Sequence, residues 1–291
     1  MTTDEIDVLG SHWTLAGDAT PIPPGPDADE GREWSRWDFE ERVTKAAEVG
    51  FTGMSIWHAE LEHVLESRTL EEMKEILDAK GMRGIELEFL NFWFLDEDDE
   101  RRQDEAETRS LFLEAAEVFD ADRLKVGNIP GTPADLETLA SSFEALCAEA
   151  AAAGTDVGYE VIPFDPNVAS LDDALQIVAE PENGGLVLDA WHMETLGIDD
   201  EEIRALPASK ILGAELNDGV RDSDMPPEIQ VVKQRTFPGE GDFDVRGFVE
   251  AVRDTGYDGY WSVEVLSEEL QGLPMDELYE RAYESALSVL T

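Results

Sequence analysis

Four carboxylates stand where carboxylates are costly. Glu160 in VGYEVIP, Asp189 at the end of GGLVLD, Glu215 in GAELND and Glu264 in WSVEVLS each interrupt or end a short apolar run. An ionised carboxylate in a buried strand is unfavourable unless it is paired or holds a metal. Basic partners are scarce, because 21 Lys and Arg face 68 Asp and Glu and leave a formal charge of −47. Any one of these acids could face outward beside a helix Lys or Arg. The set of four on consecutive runs is better explained by one shared divalent cation. All-oxygen ligation suits Mg²⁺, Mn²⁺ or Co²⁺ better than a soft-ligand zinc site. Glu86 and Glu88 alternate with apolar residues in GIELEFL and are candidates for the same neighbourhood.

The histidines give a second probe, because the chain has only four. His12 and His58 end apolar runs, His192 follows one, and only His63 lies elsewhere. Each alone reads equally well as a satisfied structural histidine; together they point to a binding site. Lys125, Arg221 and Arg235 are candidates for reading a substrate hydroxyl, carboxylate or phosphate, or else are surface charges paired with nearby acids. Trp13, Trp57, Phe92, Trp93, Phe94 and Trp191 fall at or after the ends of these runs. They form either a wall for a sugar ring or ordinary packing against helices.

Elements that could bring these residues together are visible in the hydrophobic period. Strand-like runs occupy 6–13, 53–58, 84–90, 123–128, 156–163, 184–191, 211–218 and 259–267. Helical periodicity fills the intervals, as in WDFEERVTKAAEVG, LEEMKEILDAKG, ETRSLFLEAAEVF, LETLASSFEALCAEAAAAG and MDELYERAYESALSVL. Glycines in EVGF, AKGM, AAGT and DTGY sit where helices should end. Eight strand–helix units imply an α/β fold, a (β/α)₈ TIM barrel formed by residues 1–291 as one domain. An open doubly wound sheet would more often show a glycine-rich loop after its first strand, and SHWTLAGDATPIPPG is not one. In a barrel the strand-end residues converge on the C-terminal face, with the long loops 14–35 and 219–243 above them.

Composition limits the partners. The acids are spread along the chain, as on a surface adapted to a salty cytoplasm, and such a surface disfavours nucleic-acid binding. Cys147, the only cysteine, lies in an alanine-rich helical stretch and reads as a buried inert thiol. MTTDEIDVLG has neither the basic nor the apolar region of a signal peptide, and no apolar run is long enough to span a bilayer. A cytoplasmic protein without membrane partners is expected.

These residues and spacings resemble the xylose isomerase-like TIM barrels, the sugar phosphate isomerase/epimerase superfamily. The likeness runs along essentially the whole chain and is clearest over 156–267. Members carry a metal-binding Glu at the end of strand five, matched by Glu160. They carry an Asp followed three residues later by His after strand six, matched by Asp189 and His192. A His-x-Lys-Asp segment on strand seven aligns with Glu215-Leu216-Asn217-Asp218, so Glu215 stands where a metal-binding His is usual and Asn217 where Lys is. A Pro-Gly-Glu-Gly turn is reproduced at 238–241, and a second catalytic Glu in strand eight is matched by Glu264.

The resemblance implies an enzyme with one divalent ion (Mn²⁺, Mg²⁺ or Co²⁺) on Glu160, Asp189, Glu215 and Glu264. Glu160 and Glu264 would pass a proton through an enediolate, for an isomerase or epimerase of a sugar or polyol-derived ketone. His12, Trp13, Trp57, His58, Lys125, His192, Arg235 and Glu240 would contact the substrate. The alternatives are a metal-dependent dehydratase of a cyclic keto substrate such as 3-dehydroshikimate or an inosose, and a barrel that binds a ligand without turning it over. Members are commonly homo-oligomers.

Overall fold

A computed structural model describes residues 6–21 and 32–291; residues 22–31 of the expected 14–35 loop lie outside the described residues. The strands are β1 (Val8–Gly10), β2 (Gly53–Trp57), β3 (Gly84–Leu90), β4 (Arg123–Val126), β5 (Asp156–Glu160), β6 (Gly184–Asp189), β7 (Ile211–Leu216) and β8 (Trp261–Val263). They close into a barrel in sequence order, with parallel pairing, so the expected (β/α)₈ architecture is the observed one. β3 matches its expected run, and the other seven strands are shorter than theirs. Glu264 is the first residue after β8, while His12 and His58 begin helices instead of ending strands.

The helices are α1 (His12–Leu15), α2 (Phe39–Val49), α3 (His58–Leu65), α4 (Leu70–Lys80), α5 (Glu100–Phe119) and α6 (Leu136–Ala152). They continue with α7 (Leu171–Val178), α8 (Ala190–Leu196), α9 (Asp200–Arg204), α10 (Pro227–Lys233), α11 (Val245–Asp254) and α12 (Met275–Leu290). Local chemistry sets their ends. Thr69 and Glu72 form a reciprocal capping box at the start of α4. Gly81 closes α4 at φ +74°, a left-handed conformation that costs a residue with a Cβ far more. Gly50, Gly154 and Gly256 also take positive φ, as their positions in the sequence predict. Among the described residues no helix is long and apolar enough to cross a membrane.

Chain proximity divides the structure into two units. In the first, which contains β1, β2 and β8, the chain turns sharply after β1. Thr14 Oγ1 donates to the Val263 carbonyl (2.8 Å) and accepts from Val265 N–H (2.7 Å), while His12 N–H reaches Ser55 Oγ (2.6 Å). Beneath α1 lies a buried ion pair, Arg42–Glu60 at 2.5 Å. Arg42 Nε (3.2 Å) and Tyr279 Oη (2.7 Å) both donate to the Leu15 carbonyl, and Ser35 N–H donates to Glu60 (2.7 Å). Burial is the largest influence and would raise the Glu60 carboxyl, but Arg42, His12 and the Ser35 N–H together outweigh it and hold the group below its ordinary value. The network fixes both α1 and the returning end of the loop after β1.

The second unit contains β3 to β6. Its strands are apolar on the face that meets the helices, where Leu124, Val157, Leu186 and Leu188 are buried with Phe112, Phe119, Phe143 and Leu146. Cys147 is buried there too, its thiol pushed up to about 12 by burial, which leaves it protonated and inert. The other face carries charge. All seven residues of β3 are buried, including Glu86 and Glu88. The register sets Glu86 beside Arg123 and Glu88 beside Lys125. Arg123 also donates to the Leu212 carbonyl (2.6 Å) and lies over Gly213, where a Cβ would come within 3.0 Å of its guanidinium. An ion pair thus fills space that an aliphatic layer fills in many barrels.

Candidate active site

Glu160 ends β5 and Asp189 ends β6, and both are buried. Asp189 also caps α8, accepting the His192 N–H at 2.8 Å. That cap turns His192 back, so its Nδ1 lies 3.2 Å from Glu160 Oε1 and 3.9 Å from Asp189 Oδ1. The paired Asp and His of the sequence are therefore a helix cap and its first-turn imidazole, the imidazole turned towards Glu160. Lys125, buried on β4, places Nζ 2.7 Å from Glu88 Oε2 and 3.6 Å from Glu160 Oε2.

Glu264 donates its N–H to the Leu216 carbonyl (3.1 Å), which anchors it beside β7. Arg235 is buried against it, with Nη1 3.2 Å from Oε2 and 3.3 Å from the main-chain oxygen. The loop after β7 contains α10 and is folded around Asp218. The buried Asp218 carboxylate accepts from the N–H groups of Gly219 (2.8 Å), Gly239 (3.1 Å) and Phe243 (2.9 Å). The turn at 238–241 is thereby held by the aspartate that ends the strand-seven segment. Glu240 lies in that turn, on its outer side. Its side chain is 46 % exposed and pairs with Arg281 of α12 at 3.1 Å. Arg221 is exposed as well and lies over the Phe243 ring.

Glu160, Asp189, Glu215 and Glu264 each offer a carboxylate oxygen, and these oxygens all lie within 4.8 Å of one another. Opposed oxygen ligands of a single hard cation lie roughly 4–5 Å apart, twice a metal–oxygen distance of about 2.0–2.5 Å. Glu160, Asp189 and His192 form a second such group. The donor set fits a divalent ion: the acids are at most 5 % exposed, close together and rich in oxygen. Soft thiolate ligands are absent from both groups.

The other predicted contacts gather after β1 and β2. The Trp13 and Trp57 rings lie 4.7 Å apart, and Trp57 lies 4.7 Å from His58. Glu33, which sequence reasoning missed, joins them. Its carbonyl lies 2.7 Å from His12 Nε2, its carboxylate accepts from Trp57 Nε1 (3.1 Å), and His58 Nε2 is 3.6 Å away. Nothing in an acid-rich, proline-rich loop singles out this one glutamate. Trp93 instead packs against Phe94, Phe143 and Tyr159 and donates to the Gly127 carbonyl (3.0 Å), so it belongs to barrel–helix packing.

His12 is driven down to about 3, chiefly by burial; the nearby Glu60 pulls it up, while Arg42 and His58 push it further down. It is neutral in the folded protein at ordinary pH. The unfolded chain takes up this proton near pH 6.5, the folded one only near pH 3. Stability therefore falls as pH drops through that window, by up to about 1.4 kcal/mol per pH unit from this group. His12→Gln, which keeps a donor near Nε2 but does not titrate, should flatten the urea-midpoint profile between pH 5 and 7 relative to wild type. Parallel profiles would contradict the assignment.

Comparison with known proteins follows the same outline. A 3-dehydroshikimate dehydratase of Pseudomonas aeruginosa is 32% identical over 143 residues, 47% of this chain and 22% of that protein. The chain thus spans about a fifth of that relative's length. An inosose isomerase of Halalkalibacterium halodurans is 24% identical over 245 residues, 79% of this chain and 83% of that protein. Among solved structures, an IOLI protein with a binding zinc atom shares the fold at a TM-score of 0.79 and 17% identity, over 98% of each chain. Residues 43–289 match the family described as the xylose isomerase-like TIM barrel, and the chain belongs to that family.

Proposed function

We propose that the chain, acting as one domain, is a divalent-metal-dependent isomerase or epimerase of a sugar or polyol-derived ketone. The observation that carries this reading is the buried group of four carboxylates. Glu160, Asp189, Glu215 and Glu264 would hold the ion; bound there, it supplies Lewis acidity towards a carbonyl oxygen and its neighbouring hydroxyl. A fourth carboxylate in place of a neutral imidazole favours a hard cation over zinc.

Proton transfer falls to Glu160 and Glu264. One carboxylate takes the proton from the carbon next to the carbonyl, and the C–H electron pair becomes the enediolate double bond. The other returns a proton, to the neighbouring carbon for isomerisation or to the opposite face of the same carbon for epimerisation. Each carboxylate is oriented by a cationic or imidazole neighbour: His192 and Lys125 for Glu160, Arg235 for Glu264. Such fixed donors hold the carboxylates in place and favour negative charge developing on substrate oxygens. The tryptophan pair Trp13 and Trp57 offers an apolar wall for the carbon face of the substrate.

The 32% identical dehydratase supports a second reading. There the same proton abstraction is followed by loss of a β-hydroxyl, which leaves as water after taking a proton from the second carboxyl group. One experiment separates the two. The protein is incubated with Mn²⁺ in deuterated buffer with ketoses, aldoses and cyclic ketones. Isomerisation or epimerisation puts solvent deuterium into a product of unchanged composition, whereas dehydration yields a product lighter by one water. Turnover that survives complete removal of metal by chelator would refute the proposal.

A further inference from the structure

We infer, on the basis of that metal-dependent ketone chemistry, that Glu88 is a specificity-determining residue. By engaging Lys125 it closes the site to carboxylate- and phosphate-bearing substrates and leaves it to uncharged polyol ketones. The buried charges on β3 to β6 do not balance. Four acids, Glu86, Glu88, Glu160 and Asp189, face two cations, Arg123 and Lys125. Among these charged groups two negative charges remain uncompensated, and the ion proposed to offset them is shared with Glu215 and Glu264.

Neither cation is available to a substrate anion. Arg123 is engaged by Glu86 and by the Leu212 carbonyl. Lys125 is the better-placed reader, since its Nζ lies 3.6 Å from Glu160 Oε2, beside the proposed chemistry. Glu88, however, holds it at 2.7 Å, and Glu86 lies at 4.0 Å. The parallel register sets Glu88 directly beside Lys125, so the pairing is built into the sheet and does not depend on a mobile loop. Arg235, the other buried candidate, is engaged by Glu264. A substrate carboxylate entering here would add an uncompensated negative charge in a setting with little water, where repulsion is strong.

The test compares ligands that differ only in charge. D-Fructose and D-fructuronate, and D-tagatose and D-tagaturonate, differ only in the oxidation of the terminal carbon. Their dissociation constants for the Mn²⁺-loaded protein are measured by titration calorimetry at fixed ionic strength. The neutral member of a pair should bind tighter by about tenfold or more. Glu88→Gln releases Lys125 and should move the ratio towards the carboxylate by about tenfold. Glu88→Gln with Lys125→Met removes the released reader and should cancel that movement. Equal or tighter binding of the carboxylates by wild type overturns the inference, as does a ratio unmoved in a folded Glu88→Gln protein. If Glu88→Gln does not fold, the wild-type ratio alone decides. Should solvent label enter ketones while the wild-type ratio is flat, the charge selection falls and the enzymatic reading stands. Should no ligand bind and no label enter, both fall.

Discussion

Glu264→Gln and Glu160→Gln each cut solvent-deuterium exchange into substrate by roughly 10²–10⁴-fold at saturating Mn²⁺, with the fold intact. The size follows from what the amide removes. Gln has nearly the same shape as Glu, and its carbonyl oxygen can still accept from Arg235 at position 264 or face His192 at position 160. What disappears is the basicity of the carboxylate oxygen that takes the proton and the charge that drives the transfer. The packing loss is small, because Gln has nearly the same volume as Glu and keeps an oxygen acceptor at each position. Saturating metal is needed, because each substitution also removes a charged donor from the carboxylate group. Tm without metal should hold or rise, which separates loss of chemistry from loss of fold. Full exchange in either variant removes that residue from the proton pathway. Equal loss in both, with no further loss in the double variant, would mark them as one unit and not as independent contributors.

The barrel was readable because its strands and long helices differ in period, and each element is long enough to show it. Helix α5 begins seven residues earlier than the periodic segment ETRSLFLEAAEVF suggests. Its first two turns are charged, and Asp99, which caps Arg101 N–H, is the only local signal of the start. Helices α1, α3, α8 and α10 follow strands directly or sit inside a loop. Four to eight residues do not establish a 3.6-residue period, so His12 and His58 looked like strand ends.

The same contrast decides which site residues were visible. A carboxylate inside GAELND or VGYEVIP stands out from its apolar neighbours. Glu33 and Glu60 are as closely tied to the neighbourhood of His12, yet they lie in acid-rich segments where one more acid carries no signal. Glu240 shows the converse. The turn that contains it is recognisable, but the turn serves Asp218 through backbone N–H groups, and its glutamate side chain points to Arg281 at the surface.

Asp189→Asn should weaken metal binding strongly while making the metal-free protein more stable, and the opposite signs are the informative part. In the metal-free chain, Asp189 is fully buried close to Glu160, Glu215 and Glu264. Removing one of four neighbouring like charges relieves repulsion worth about 1–3 kcal/mol. The structural duty of the residue is kept, because Asn caps helices about as well as Asp and retains the oxygen that accepts from His192 N–H. Binding moves the other way. Wild type at a hundred times its metal Kd gains about 2.7 kcal/mol of stability from the ion. Most of that gain should vanish in Asp189→Asn at the same Mn²⁺ concentration. Thermal melts with and without Mn²⁺, on both proteins, measure all four values. A variant that is less stable without metal and equally stabilised by it would mean that Asp189 is a structural cap and nothing more, and the four acids would need another reason to be buried together.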